Sequence, residues 1–306
     1  MTDAGTLPDS APVAPQPEGI SCFRTAAGRA QFTDAYRAGM QSLPPAEEIR
    51  TVATTFGTTT AYRFGPPSPE PILLLSGRQA STPMWRANIA TLREIGTVWS
   101  IDSIGEPGAS AQTKAMSGPH DQAAWVDEAI AQLGVERVHL LGVSIGGWLA
   151  AQCAIHKPQR LASAILLDPA VTFAPITWKM IVVSLGSVVP GMPRPLRHRL
   201  LSWISGGVKV DDNIPEARLI ASGMRDFQLH QPRPAQPTAD ELRAITTPML
   251  VIIAGASIIH NPERAAEQAR TIPTAQVELW PGRSHAINGE APEAIATRTA
   301  EFLHAL

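Results

Sequence analysis

From residue 71 onward, short, mainly apolar runs alternate with longer stretches whose apolar residues recur every three or four positions. Ile72-Leu73-Leu74-Leu75 is one such run; Val98 to Ile101, Val138 to Val143, Ala164 to Leu167, Met249 to Ala254 and Val277 to Trp280 are others. Apolar runs this short, without polar alternation, predict strands buried on both faces. The stretches between them predict helices near 84–94, 121–133, 147–156, 261–271 and 291–305. Strand and helix in turn predict an α/β protein with a mostly parallel central sheet and helices on both faces.

Upstream, the pattern predicts a helix over about 27–43, ended by Pro44-Pro45. Two β-rich runs, Ile49 to Phe56 and Thr58 to Phe64, then meet at Gly57 as a hairpin. Residues 1–20 carry Pro8, Pro12, Pro15 and Pro17 among small and acidic residues, which predicts a disordered tail. Between 170 and 246 no strand is predicted. That interval reads as short helices broken by Pro190, Pro193, Pro195, Gly206 and Gly207, with apolar residues such as Trp178, Leu185 and Trp203. An insertion of this length between core strands predicts a helical cap after the sixth strand. The expected organisation is a tail over 1–20, a core over 21–169 and 247–306, and a cap over 170–246.

Composition acts mainly by exclusion. The chain has 306 residues, 44% hydrophobic and 17% charged, with a net charge of -2. It is globular in texture and has no basic excess that would point to nucleic acid. No apolar run reaches the 18 or so residues of a membrane span, and the N-terminus has neither the basic start nor the apolar centre of a secretory signal. Two cysteines, Cys22 and Cys153, exclude a disulfide framework, so a reduced, cytoplasmic setting is expected. Four lysines against 21 arginines, with much alanine and proline, suggest a GC-rich bacterial genome. The phosphate loop and the H-E-x-x-H zinc motif are both missing, and no cofactor or metal is expected.

The most informative string is Gly142-Val143-Ser144-Ile145-Gly146, a G-x-S-x-G placed after an apolar strand and before a helix. In that context the serine occupies a strained turn above the sheet, with the positive end of a helix behind it. A serine hydroxyl needs a base to take its proton. Of eight histidines, His285 follows the last strand, at the rim where open α/β sheets place their sites. His139 starts its strand on the opposite rim, His156 ends a helix and His304 lies in the last helix. His198 and His230 fall in the expected cap.

Over about residues 48–306 the chain resembles the α/β-hydrolase superfamily, and within it the small bacterial carboxylesterase-like members. The resemblance rests on Leu73-Leu74-Leu75-Ser76-Gly77-Arg78 with Met84-Trp85, on Asp102 to Ser110 as a lengthened D-x-x-G-x-G-x-S turn, on the elbow at Ser144 and on His285. It implies a Ser–acid–His triad with Ser144 as nucleophile, His285 as base, and an oxyanion hole of the Ile145 and Arg78 backbone N–H groups. Ser76 replaces the usual histidine of the first motif. Ile258 stands where the family most often places its acid, and isoleucine cannot orient an imidazole. Asp168, in Leu166-Leu167-Asp168-Pro169-Ala170, is similar to the acid of pancreatic-type lipases and keeps the order serine, acid, histidine. Its alternative reading is a strand-end cap before Pro169, with Asp102 as the next candidate acid and Asp127 also weighed. The Arg78 guanidinium is open to a substrate carboxylate, to solvent or to Glu106.

The leading expectation is a metal-free serine hydrolase that cleaves a small-molecule carboxylic ester with a hydrophobic part. The same triad could instead serve an acyltransferase, lactonase, thioesterase or perhydrolase. A non-hydrolytic protein that binds or cyclises a small molecule is the rival from another class. A serine nucleophile excludes the carboxylate chemistry of dehalogenases and epoxide hydrolases, and Tyr36 and Tyr62 both precede the cap. Oligomeric state is not legible.

Overall fold

The computed structural model describes residues 12–178, 180 and 215–306. Its strands are β1 (Cys22–Phe23), β2 (Glu48–Thr54), β3 (Gly57–Phe64), β4 (Ile72–Leu75), β5 (Val98–Ile101), β6 (Ala111–Gln112), β7 (Val138–Val143), β8 (Leu161–Leu167), β9 (Phe227–Gln228), β10 (Met249–Ala254) and β11 (Ala275–Trp280). Its α-helices are α1 (Ala26–Gln41), α2 (Arg86–Leu92), α3 (Pro119–Gln132), α4 (Ile145–His156), α5 (Pro215–Asp226), α6 (Ala239–Arg243), α7 (Pro262–Ala269), α8 (Ile287–Glu290) and α9 (Pro292–His304).

Among the described residues the main sheet runs β11-β10-β8-β7-β4-β5-β3-β2, with β6 attached to β3. The strands from β11 to β5 are parallel; β3 lies antiparallel to β5 and to β2. All six apolar runs are strands of this sheet. β8 starts at Leu161, earlier than expected, because Leu161, Ala162 and Ser163 are also buried and carry the pairing down to Val138. In β4 every side chain is buried, and the pleat divides them. Leu73 and Leu75 enter the core on one face, and Ile72 and Leu74 the core on the other. Leu140 and Leu141 of β7 part in the same way, as do Val251 and Ile252 of β10.

After β5 the chain crosses back over β4 to form β7 on its other side. The strand order therefore reverses between β4 and β7, and a crevice opens at their C-terminal ends. Two loops line that crevice, the one after β4 and the one after β7.

Two expectations need correction. The tail expected over 1–20 does not hold for residues 12–20. Phe23 donates its N–H to the Pro12 carbonyl at 2.8 Å, Ala14 donates to the Phe23 carbonyl at 2.9 Å, and Ile20 is buried. Phe23 packs its ring tilted against Phe32 and edge-on against Phe227, which gives this proline-rich stretch an apolar surface to lie on. The interval 170–246, read as strand-free, contains β9, which pairs antiparallel with β1. A two-residue strand is too short to leave a periodic signal. Pro190, His198, Trp203 and Gly207 lie outside the described residues, whereas α5 and α6 are described helices of the same interval. Among the described residues no helix is long and apolar enough to cross a membrane.

Candidate active site

The turn from β7 into α4 forces two close backbone approaches. A Cβ on Gly142 would meet the Gly146 carbonyl oxygen at 2.2 Å, and one on Gly146 would meet the Leu75 carbonyl oxygen at 2.0 Å. Only glycine fits either position. Between them Ser144 adopts φ +56°, a left-handed conformation that costs a residue with a Cβ about 1–3 kcal/mol. Neighbouring backbone holds it there. The Ser144 N–H donates to Leu167 at the end of β8, and its carbonyl accepts from Ala170 and Trp148.

The Ser144 hydroxyl lies 2.9 Å from His285 Nε2, and His285 Nδ1 lies 2.6 Å from Asp168 Oδ2. An ionised carboxylate can only accept, so Nδ1 carries the proton and Nε2 is left to receive one from Ser144. Asp168 also takes a positive φ, +41°. Its N–H continues the β-ladder to Ile252, while its side-chain Oδ1 accepts from the Ala254 N–H at 3.1 Å. The carboxylate thus replaces a ladder carbonyl at the end of β10. Ser257 Oγ donates to Oδ2 at 2.7 Å. Burial pushes this carboxyl up, but the His260 and His285 contacts outweigh it and hold the group well below the usual carboxylate range.

His260 and Ser257 went unnoticed in the sequence. His260 is buried, with Nε2 3.1 Å from Asp168 Oδ1, yet the ring is turned so that neither nitrogen has an aligned hydrogen bond. Both residues follow β10, in the loop where an acid was sought at position 258. Glu290 was missed as well. It accepts from the Ser284 N–H at 2.9 Å and from the Ser284 hydroxyl, and so fixes the residue before His285. A glutamate in a helical turn carries no sequence signal for that task.

The loop after β4 crosses beside the serine; a Cβ built on Gly77 would lie 3.6 Å from Ser144 Cβ. Ser76, at the usual histidine position, accepts from Trp85 Nε1 at 3.1 Å. Arg78 and Ile145 both line one cavity, together with Glu106, Trp125 and Leu149. Among the described residues neither the Arg78 nor the Ile145 N–H has an intramolecular acceptor. The Arg78 guanidinium donates to Glu106 at 3.0 Å, the last of its three sequence readings.

The other candidates are accounted for elsewhere. Asp102 is fully buried and accepts from Thr82, Ala109 and the Tyr36 hydroxyl, which itself lies 2.8 Å from the Tyr62 hydroxyl. Asp127 pairs with Arg160 at 3.2 Å. His139 meets Ser163, and the His156 ring lies beside His120. His304 closes α9, and the His230 N–H donates to Ser21.

The family model for alpha/beta hydrolases matches residues 72–298, which span the crevice loops, the elbow and His285. The chain belongs to the alpha/beta hydrolase family. This hydrolase is 27% identical to carboxylesterase YbfK of Bacillus subtilis, over 89% of this chain and 93% of the relative. It is 26% identical to the uncharacterized carboxylesterase nap of the same organism, over 83% and 86% of the two chains. The crystal structure of carboxylesterase CesB (YbfK) from Bacillus subtilis superposes with a TM-score of 0.82 at 25% identity, covering 91% of this chain and 99% of that one. The naproxen esterase structure from that organism shares the fold, with a TM-score of 0.83 at 24% identity over 92% and 99%.

Proposed function

We propose that this hydrolase cleaves carboxylic esters through an acyl-enzyme on Ser144. The observation that carries the reading is the unbroken contact chain from Ser144 Oγ through His285 to Asp168, at 2.9 and 2.6 Å. Ser144 attacks the acyl carbon as His285 Nε2 takes its proton. Asp168 keeps the imidazole in the required tautomer and balances the imidazolium. The Ile145 and Arg78 N–H groups receive the negative charge that develops on the carbonyl oxygen. Each such donor typically stabilises the transition state by about 2.7–4 kcal/mol. The imidazolium then protonates the departing alcohol, and water, activated by the same histidine, releases the acid.

The two Bacillus subtilis carboxylesterases, matched along most of both chains, support ester hydrolysis over other acyl chemistry. The apolar composition of residues 170–246 supports a substrate with a hydrophobic part. The reading of a non-hydrolytic binding or cyclising protein rested on Ile258, and the contact of Asp168 with His285 favours hydrolysis instead.

The test is fluorophosphonate labelling of the purified protein, read by intact mass, followed by a panel of acyl esters of graded chain length. One adduct, missing in Ser144→Ala, is expected together with ester turnover. A folded wild type that neither labels nor turns over any ester sinks the proposal.

A further inference from the structure

Glu106 sits in the turn after β5, outside the triad, yet both of its carboxylate oxygens are committed to the neighbouring loop after β4. One accepts from the Arg78 guanidinium at 3.0 Å, the other from the Gln79 N–H at 2.8 Å. The Gln79 N–H belongs to the Arg78–Gln79 peptide, one peptide after the Arg78 N–H proposed as an oxyanion donor. Gln79 adopts φ +55°, a left-handed conformation that a residue with a Cβ keeps only where its surroundings hold it.

The turn that carries Glu106 is itself well anchored. Asp102 accepts from the Ala109 N–H at 2.7 Å, and the Ser110 hydroxyl donates to the Asp102 carbonyl at 2.6 Å. Glu106 is buried, which by itself pushes its carboxyl up; the Arg78 charge and the Gln79 N–H work against that. A buried carboxylate is costly unless it is paired and hydrogen-bonded, and here both partners belong to one loop.

We propose that Glu106 is a positioning residue that clamps the loop after β4 and so aims the Arg78 N–H at the oxyanion. The proposal rests on the esterase reading of the site. An oxyanion donor acts only if it stands where the charge develops, and displacement by about 1 Å can cost 10²-fold in rate.

The experiment compares wild type with Glu106→Leu, which keeps no acceptor, and Glu106→Gln, which keeps one for the Gln79 N–H. Turnover is expressed per site counted by complete fluorophosphonate labelling, so that misfolded protein drops out. In Glu106→Leu kcat should fall about 10²-fold while KM moves little, with a smaller fall in Glu106→Gln. Affinity for a trifluoromethyl ketone, whose serine adduct carries an oxyanion, should fall by the same factor as kcat/KM. The Gln79 amide should exchange hydrogen faster in Glu106→Leu. Unchanged kcat per site overturns the proposal, and so does a fall in kcat with the ketone affinity intact. Should Glu106→Leu not fold, Glu106→Gln carries the same comparison. A wild type inert to every ester refutes the esterase reading, and the Gln79 exchange rate then judges the clamp alone.

Discussion

Asp168 and His285 meet at 2.6 Å although their strands are not neighbours: Asp168 follows β8, His285 follows β11, and β10 lies between. The carboxylate reaches past the end of β10 by taking the place of a ladder carbonyl toward Ala254. This explains how the site does without an acid at position 258. The partner of the imidazole stands one strand nearer the serine, and the loop after β10 contributes Ser257 to it instead.

Asp168→Asn should therefore disable the site without unfolding it. An amide can orient the ring in the wrong tautomer and cannot balance an imidazolium, so kcat should fall by about 10⁴-fold. Rapid-mix measurement of acylation on an activated ester checks this. A fall of less than tenfold in a folded variant would remove Asp168 from the mechanism.

The same substitution should change how the fold tolerates acid. Asp168 is held well below the usual carboxylate range, whereas in the unfolded chain it titrates near 3.9. Its contribution is complete above about pH 3.9 and is lost as pH falls toward the folded-state value. Asp102 and Glu106, which burial raises, act in the opposite sense but are common to both proteins. The urea midpoint of wild type should drop more steeply below about pH 4 than that of Asp168→Asn. Parallel acid limbs would contradict the assignment.

His260 and His285 both touch Asp168, but only His285 reaches Ser144. His285→Gln should cut turnover by about 10³-fold or more, and His260→Gln by less than about tenfold. Steady-state kinetics of the two variants, each normalised to folded protein, decide the matter. Equal losses would mean that the site needs His260 as much as His285.

The Gly146 contact makes a stability prediction. A methyl group 2.0 Å from the Leu75 carbonyl would force α4 away from β4, so Gly146→Ala should lose about 3 kcal/mol or fail to fold. Gly289 has open space around its Cβ position, and Gly289→Ala should stay within about 1 kcal/mol of wild type. Urea unfolding of both measures the contrast.

The sheet was readable because strands buried on both faces are mostly apolar, and all six runs became strands; β11, a part-exposed edge strand, carries Glu278 within its run. The placement of Ser144 beside His285 was readable because Ser144 lies in a local turn string and His285 follows a strand end. The contacts of Asp168, and the existence of β1 and β9, depend on which strand ends the fold brings together. His260 and Glu290 illustrate the limit: a buried histidine and a helix-end glutamate look like any others until the tertiary structure gives them neighbours.

The pairing of β1 with β9 also bears on how the chain is made. Cys22 and Phe23 leave the ribosome early, but their strand partner does not exist until Phe227 and Gln228 have been translated. Phe23 can meet Pro12, Ala14 and Phe32 early, but its contact with Phe227 waits through most of synthesis. The closure of β1 onto β9 can therefore begin only after β2 to β8 have been translated.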